Sequence, residues 1–132
     1  MFFWPLRVYL EDTDAGGIVF YANYLKFMER ARTEWLLQAG VSLQQLADDS
    51  VQCVVRSLQI DYQQPAQLGQ QLQVGTAVKE IRRASWTLHQ DVRRNSTLIC
   101  EATVRLACVH ASSLKPLPLP LVLLNVLQKE IC

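Results

Sequence analysis

Glu11-Asp12-Thr13-Asp14-Ala15-Gly16-Gly17-Ile18-Val19-Phe20-Tyr21-Ala22-Asn23-Tyr24 is the stretch across which the hydrophobic period of this chain changes. Before it, Leu6, Val8 and Leu10 alternate with Arg7, Tyr9 and Glu11, the period of a half-buried strand. After it, from Ala22, the apolar residues Tyr24, Phe27, Met28, Ala31, Trp35 and Ala39 recur at three- and four-residue steps, the period of a helix. Leu25, Leu36 and Leu37 widen that stripe, so the helix is expected to be covered on more than one side. Gly40 is its expected stop, and Ser42 is placed to cap a short helical turn running through Ala47.

The second half reads as strands. Val54, Leu58, Ile60 and Tyr62 share one phase, with Arg56 out of place among them. Gln63-Gln64-Pro65-Ala66-Gln67-Leu68-Gly69 is a connection, and Leu72, Val74, Thr76 and Val78 alternate after it. Trp86, Leu88 and Val92 follow, and Leu98, Cys100, Ala102, Val104, Leu106 and Cys108 give the longest alternation. Arg82-Arg83-Ala84 and Arg93-Arg94-Asn95-Ser96 fall where neighbouring strands should turn. One strand, one long helix and then about four antiparallel strands make an α+β, hotdog-like layout: a sheet of about five strands around one central helix. Such a sheet leaves edges and apolar surface that a second copy would cover, so a homodimer is expected, and a homotetramer is compatible with the same pattern.

The 132 residues are expected to form a single domain, residues 1–132. Half of them are hydrophobic and 19% are charged, the balance of a globular protein rather than a disordered one. A net charge of +1 argues against nucleic acid as a partner, so any anion must be bound locally. Cys53, Cys100, Cys108 and Cys132 share no metal-ligand spacing, and only His89 and His110 could join them. Free thiols, no metal and a cytoplasmic location, at most loosely associated with the inner membrane, are the expectation. Pro116 to Leu127 is the one membrane-like run, but it is far shorter than the ~20 apolar residues of a span and carries three prolines in its first half. It reads as a tail docked on a neighbouring surface.

The loop between strand and helix carries the chemistry. Asp14 supplies a carboxylate, Gly16 and Gly17 allow close approach of a ligand, and the helix start offers unpaired N–H groups and a positive dipole end. That combination suits an activated carbonyl, with Asp14 as base or nucleophile. On position alone, an aspartate that merely caps the glycine loop fits equally well. Asp12 and Thr13 read as loop-bonding residues, and Glu29, Arg30, Arg32 and Glu34 as a solvated or interface-lining helix face with ion-pair spacings such as Arg30 to Glu34. His89 and His110 read as bystanders.

Asp12-Thr13-Asp14-Ala15-Gly16-Gly17-Ile18-Val19, followed by Tyr21-Ala22-Asn23-Tyr24 and Glu29-Arg30-Ala31-Arg32-Thr33-Glu34, resembles the 4-hydroxybenzoyl-CoA thioesterase-like hotdog family. Within it, the bacterial Tol–Pal-associated acyl-CoA thioesterase branch is the most similar, from Arg7 to about Pro118. The resemblance implies hydrolysis of acyl-CoA thioesters without a metal or redox cofactor, in dimers or tetramers whose active sites are shared between subunits. It implies Asp14 as the catalytic carboxylate and the Tyr21 backbone N–H as the group that polarises the thioester carbonyl; Gly17 is read both as a turn residue and as the one that lets the thioester approach the helix start. Arg82 and Arg83, with Ser85 assisting, are the candidates for the coenzyme A phosphates, since guanidinium forks match phosphate oxygens. The branch often carries histidine where this chain has Tyr21, and a backbone donor survives that exchange. Two other readings keep the fold: a module that binds acyl-CoA or acyl carrier protein without turnover, and a hydroxyacyl-thioester dehydratase, which would want a histidine near the glycine loop. Acyl length would be set by side chains such as Phe27, Met28 and Trp35.

Overall fold

The computed structural model describes residues 1–131. Among them, β1 (Phe2–Arg7), β2 (Val51–Tyr62), β3 (Gln71–Ile81), β4 (Ser85–Arg94) and β5 (Thr97–His110) form one antiparallel sheet in the order β1-β3-β4-β5-β2. Helix α1 (Asn23–Gln38) packs along the inner face, α2 (Leu43–Asp48) follows it, and α3 (Leu121–Lys129) closes the chain. This is the α+β hotdog layout expected from the sequence.

The first strand lies earlier than its alternation suggested. It ends at Arg7, and the chain turns through a single 3-10 turn at Leu10–Asp12, which leaves Leu10 exposed rather than in a strand. As an edge strand β1 tolerates Pro5, whose missing N–H costs no bond on the open side. Helix α1 turns Tyr24, Phe27, Met28, Ala31 and Trp35 inward, all buried against the sheet. Its end is a Schellman arrangement: the Val41 N–H donates to Leu36 O at 2.7 Å and the Gly40 N–H to Leu37 O at 3.0 Å. Gly40 makes that possible at φ +89°. Leu36 is buried, whereas Leu25 and Leu37 stay exposed, so within one chain the wider stripe is not covered. Ser42 caps α2 through the Gln45 N–H.

Arg56 has a structural explanation. The register of β2 on β5 slips between Val55 and Ser57, so Arg56 is the extra residue of a β-bulge. The bulge switches the inward phase, which runs Cys53, Val55 before it and Leu58, Ile60, Tyr62 after it, each opposite an inward residue of β5. Val54 is therefore not on the face of Leu58, contrary to the simple alternation. Strand β2 is also the second edge of the sheet, and Val55 (49% exposed), Leu58 and Tyr62 remain open along it.

The hairpin at Asn95-Ser96 joins β4 to β5, with Asn95 at φ +55°, and Arg82-Arg83-Ala84 joins β3 to β4, as expected. The proline-rich run does dock as a tail: α3 buries Leu123 and Leu127 completely and packs on β3. Among the described residues no helix is long and apolar enough to cross a membrane. Cys53, Cys100 and Cys108 are free thiols, and Cys132 lies outside the described residues.

Candidate active site

The Asp-Thr-Asp stretch and Ile18–Phe20 run antiparallel to each other as a miniature hairpin. Asp14 N–H donates to Ile18 O at 2.9 Å, Phe20 N–H to Asp12 O at 3.1 Å, and Thr13 bridges to Val19. Gly17 closes the turn at φ +79°, its N–H on Asp14 O at 3.1 Å, and a Cβ there would meet nothing within 4 Å. The turn role of Gly17 thus coexists with open space beside it. The hairpin is anchored to the connection before β3 by the Val19 N–H on Ala66 O and the Leu68 N–H on Gly17 O.

The two aspartates part company here. Asp12 is 5% exposed: its Oδ2 accepts from the Tyr9 N–H at 2.8 Å, and its Oδ1 from Asn23 Nδ2 at 2.9 Å. It ties the hairpin to the first residue of α1, and Thr13 Oγ1 bonds Leu10 O, so both hold the loop. Asp14 is exposed. Its Oδ1 accepts from the Gly16 N–H at 2.8 Å, while Oδ2 has no partner among the described residues. The carboxylate is oriented by one bond and leaves one oxygen open.

At the start of α1 the N–H groups of Tyr21 and Ala22 have no hydrogen-bond partner among the described residues. The Tyr21 carbonyl, however, accepts from the Tyr62 hydroxyl at 2.8 Å, which fixes the Tyr21–Ala22 peptide, the one that carries the Ala22 N–H. Burial, and to a lesser degree the neighbouring Cys100 and Tyr21, push the Tyr62 phenol above its ordinary pKa and keep it a donor. Tyr24 adds its own tie, accepting from the Ala66 N–H at 3.3 Å. Tyr21, Tyr24, Tyr62 and Pro65 line a shallow groove of about 280 Å³. Its period in the sequence marks Tyr62 only as a strand residue. Its contact with Tyr21 spans 41 positions, and nothing local announces it.

A second cavity, about 180 Å³, opens between α1 and the other end of the sheet, walled by Trp35, Leu36, Trp86, Leu106, Cys53 and Val55. Arg32 borders it, half-buried and pushed below its usual pKa by that partial burial. It donates to Gln90 Oε1 at 3.0 Å, and Gln90 donates on to Met28 O and Thr76 Oγ1, both at 3.0 Å. The Arg30–Glu34 pair does not form. Arg32 turns inward, and Glu29 accepts from Thr33. The one local signal of Gln90 is its place between Leu88 and Val92 on the inward phase of β4. Phe27 and Met28 are fully packed in the core, so of the three residues expected to shape the acyl slot only Trp35 reaches a cavity.

Arg82, Arg83 and Ser85 stand far from Asp14 in the same chain. β3 begins at Gln71, beside the glycine hairpin, and ends at Ile81, so the turn lies about 33 Å away along the strand. Arg82 pairs with Glu80, its N–H closes the turn onto Ser85 O, and Arg83 O accepts from the Leu119 N–H. His89 sits on the outer face, 3.6 Å from Glu101, and His110 Nδ1 caps the Ser112 and Ser113 N–H groups. Among the described residues no group of side chains is placed to hold a metal ion.

A sequence profile described as the thioesterase-like superfamily matches residues 8–127. The chain belongs to that superfamily. Its relatives include an acyl-CoA thioesterase named YbgC from Haemophilus influenzae, 43% identical over 120 residues that span 90% of this chain and 88% of that one. Among solved structures, a probable thioesterase from Bartonella henselae is 31% identical, with a TM-score of 0.86 over 89% of this chain and 98% of that one. A 1,4-dihydroxy-2-naphthoyl-CoA thioesterase from Synechocystis, at 23% identity, shares the thioesterase fold with a TM-score of 0.90 over 96% and 95% of the two chains.

Proposed function

We propose that this thioesterase-superfamily chain hydrolyses acyl-CoA thioesters at the Asp14 hairpin, within a dimer that completes the site. The observation that carries the reading is the pair of unpartnered N–H groups at Tyr21 and Ala22, held by Tyr62 beside an exposed carboxylate. The thioester carbonyl accepts from the Tyr21 N–H, where the dipole of α1 favours the oxygen as it gains negative charge. A preorganised donor of that kind lowers the barrier by about 3 kcal/mol. Asp14, steered by the Gly16 N–H, either draws a proton from the attacking water or attacks the carbonyl itself to give a mixed anhydride. Coenzyme A leaves as the thiol.

The dimer reading follows from the open edge. Pairing β2 antiparallel with its copy sets the Tyr62 end of one strand beside the Val51 end of the other and covers Val55 and Leu58. It also brings the partner's Trp35 cavity against the Tyr21 groove, making one apolar slot for the acyl group. The Arg82–Ser85 turn of the partner subunit lies at the same end of its sheet as its Val54, through Ala107. The roughly 33 Å that separates Arg82 and Arg83 from Asp14 within a chain is thus bridged between chains, and the arginines can meet the phosphates of coenzyme A.

A panel of acyl-CoA substrates, short, long and aromatic, against the parent protein and Asp14→Asn tests the activity. Hydrolysis by the parent and its collapse in the variant are expected, and full activity in Asp14→Asn refutes the mechanism. Single-turnover hydrolysis in ¹⁸O-water tests the nucleophilic role: water that opens the mixed anhydride at the Asp14 carbonyl leaves the label in the Asp14 carboxylate, which a base never acquires.

A further inference from the structure

Cys53 and Cys108 are direct register partners on β2 and β5, with their sulfurs 4.0 Å apart. The Cys108 N–H donates to Ala84 O at 3.0 Å and its carbonyl accepts from the Leu117 N–H at 2.9 Å, both on the side away from β2. The pair is therefore a non-hydrogen-bonded one, in which Cα atoms approach to about 4.5 Å. That spacing lies inside the range of about 4.4–6.8 Å that a disulfide spans without backbone movement. The two residues differ in access: Cys108 is fully buried, whereas Cys53 is half-buried and forms part of the wall of the Trp35 cavity.

We propose that Cys53 and Cys108 are an oxidisable dithiol that closes into a cross-strand disulfide in the wall of the apolar slot, with a peroxide as the oxidant and small thiols as the reset. Cys53, reachable through the cavity, attacks the peroxide and becomes a sulfenic acid, and the leaving oxygen takes up the thiol proton. The Cys108 thiol then attacks that sulfur, and its proton departs with the hydroxyl as water. In sum, two thiols and one hydrogen peroxide give one disulfide and two waters. The order fits the hydrogen bond between the sulfurs, which holds Cys53 below its ordinary pKa and Cys108 above it. The closed bond draws the Cys53 sulfur out of the cavity towards β5 and fastens the edge strand to its neighbour. Its bearing on turnover rests on the proposal that this cavity receives the acyl group.

The test treats the full chain with a small excess of hydrogen peroxide, blocks remaining thiols with iodoacetamide and maps peptides without reduction. The expected result is a Cys53–Cys108 linked peptide, reversed by dithiothreitol and missing from both Cys53→Ser and Cys108→Ser. Cys53→Ser, at the half-buried position, serves if Cys108→Ser does not fold. The four thiols of the chain should fall to two. Over-oxidised or alkylated Cys53, or Cys53 linked to Cys132, overturns the dithiol. In parallel, kcat/KM for acyl-CoA should drop on oxidation and return on reduction. A linked peptide with unchanged kcat/KM overturns the effect on the slot. Absence of hydrolysis in reduced and oxidised protein alike refutes the thioesterase reading, and the peptide map still decides the dithiol.

Discussion

Asp12→Asn keeps the shape of the side chain and exchanges one acceptor oxygen for a donor. Both oxygens of Asp12 are in use, one by the Tyr9 N–H at 2.8 Å and one by Asn23 Nδ2 at 2.9 Å, and the residue is 5% exposed. The amide oxygen can stay on the Tyr9 N–H while the new NH2 faces Asn23, whose own amide must then turn over to offer its Oδ1, and water has little room to help. Exchanging two hydrogen bonds to a charged group for two neutral ones costs about 2 kcal/mol. For a domain of this size each kcal/mol moves the melting midpoint by about 3–5 °C, so a drop of roughly 6–10 °C is expected. Asp14→Asn, two positions along the chain, is the control: Asp14 is exposed, and an amide oxygen still accepts from the Gly16 N–H. Its stability should stay within about 0.5 kcal/mol of the parent. Hydrolysis should nevertheless fall by about 10²–10⁴. Thermal melts and release of coenzyme A thiol measure the two effects on the same samples. A melting midpoint for Asp12→Asn within about 2 °C of the parent refutes the reasoning. So does an Asp14→Asn protein that loses activity only because it unfolds.

Tyr62→Phe removes the donor that fixes the Tyr21–Ala22 peptide; a loss in kcat/KM of up to about fivefold, with the melting midpoint lowered by no more than about 3–5 °C, is expected from one hydrogen bond of about 1 kcal/mol. Leu127→Ala opens a cavity where α3 meets the sheet and should cost about 2–5 kcal/mol by urea unfolding, since Leu127 is completely buried. Val55→Lys with Leu58→Lys places charge along the open edge of β2, and light scattering should show monomers that keep their circular dichroism but lose hydrolysis; a dimer of full activity places the interface elsewhere. Burial, with the charges of Asp91 and Glu101, pushes the Cys100 thiol up to about 12. Its folded pKa lies above the unfolded one, so its contribution is complete below about pH 8.5 and fades as pH rises towards 12. Cys100→Ala should therefore flatten the alkaline fall in stability, by at most about 1.4 kcal/mol per pH unit, in denaturant titrations between pH 8.5 and 10.5.

Local signals carried much of the fold. The change of period around Asp14 marked the strand-to-helix passage, Gly40 and Ser42 marked the helix boundaries, and Asn95-Ser96 marked a hairpin, because each depends on backbone preferences within a few residues. Arg56 shows the limit of that reading. A bulge inserts one residue into the ladder and reverses the phase beyond it, and whether an odd residue in an alternation is a bulge or a buried charge depends on the partner strand. The same holds for β1, whose end was set by where pairing with β3 stops.

At the site, the sequence by itself determined the ingredients: a carboxylate, a turn that needs glycine, and the free donors of a helix start, all within eight residues from Asp14 to Tyr21. Only the tertiary structure decided their division of labour. Asp12 and Asp14 are the same residue type two positions apart, and burial against Asn23 made one a fastener while exposure left the other open. Tyr62 joined the site from 41 residues away, and Arg82 and Arg83 were carried to the far end of the sheet. Short-range sterics and capping are written in neighbouring residues. Burial and long-range hydrogen bonds arise only when distant segments close on one another.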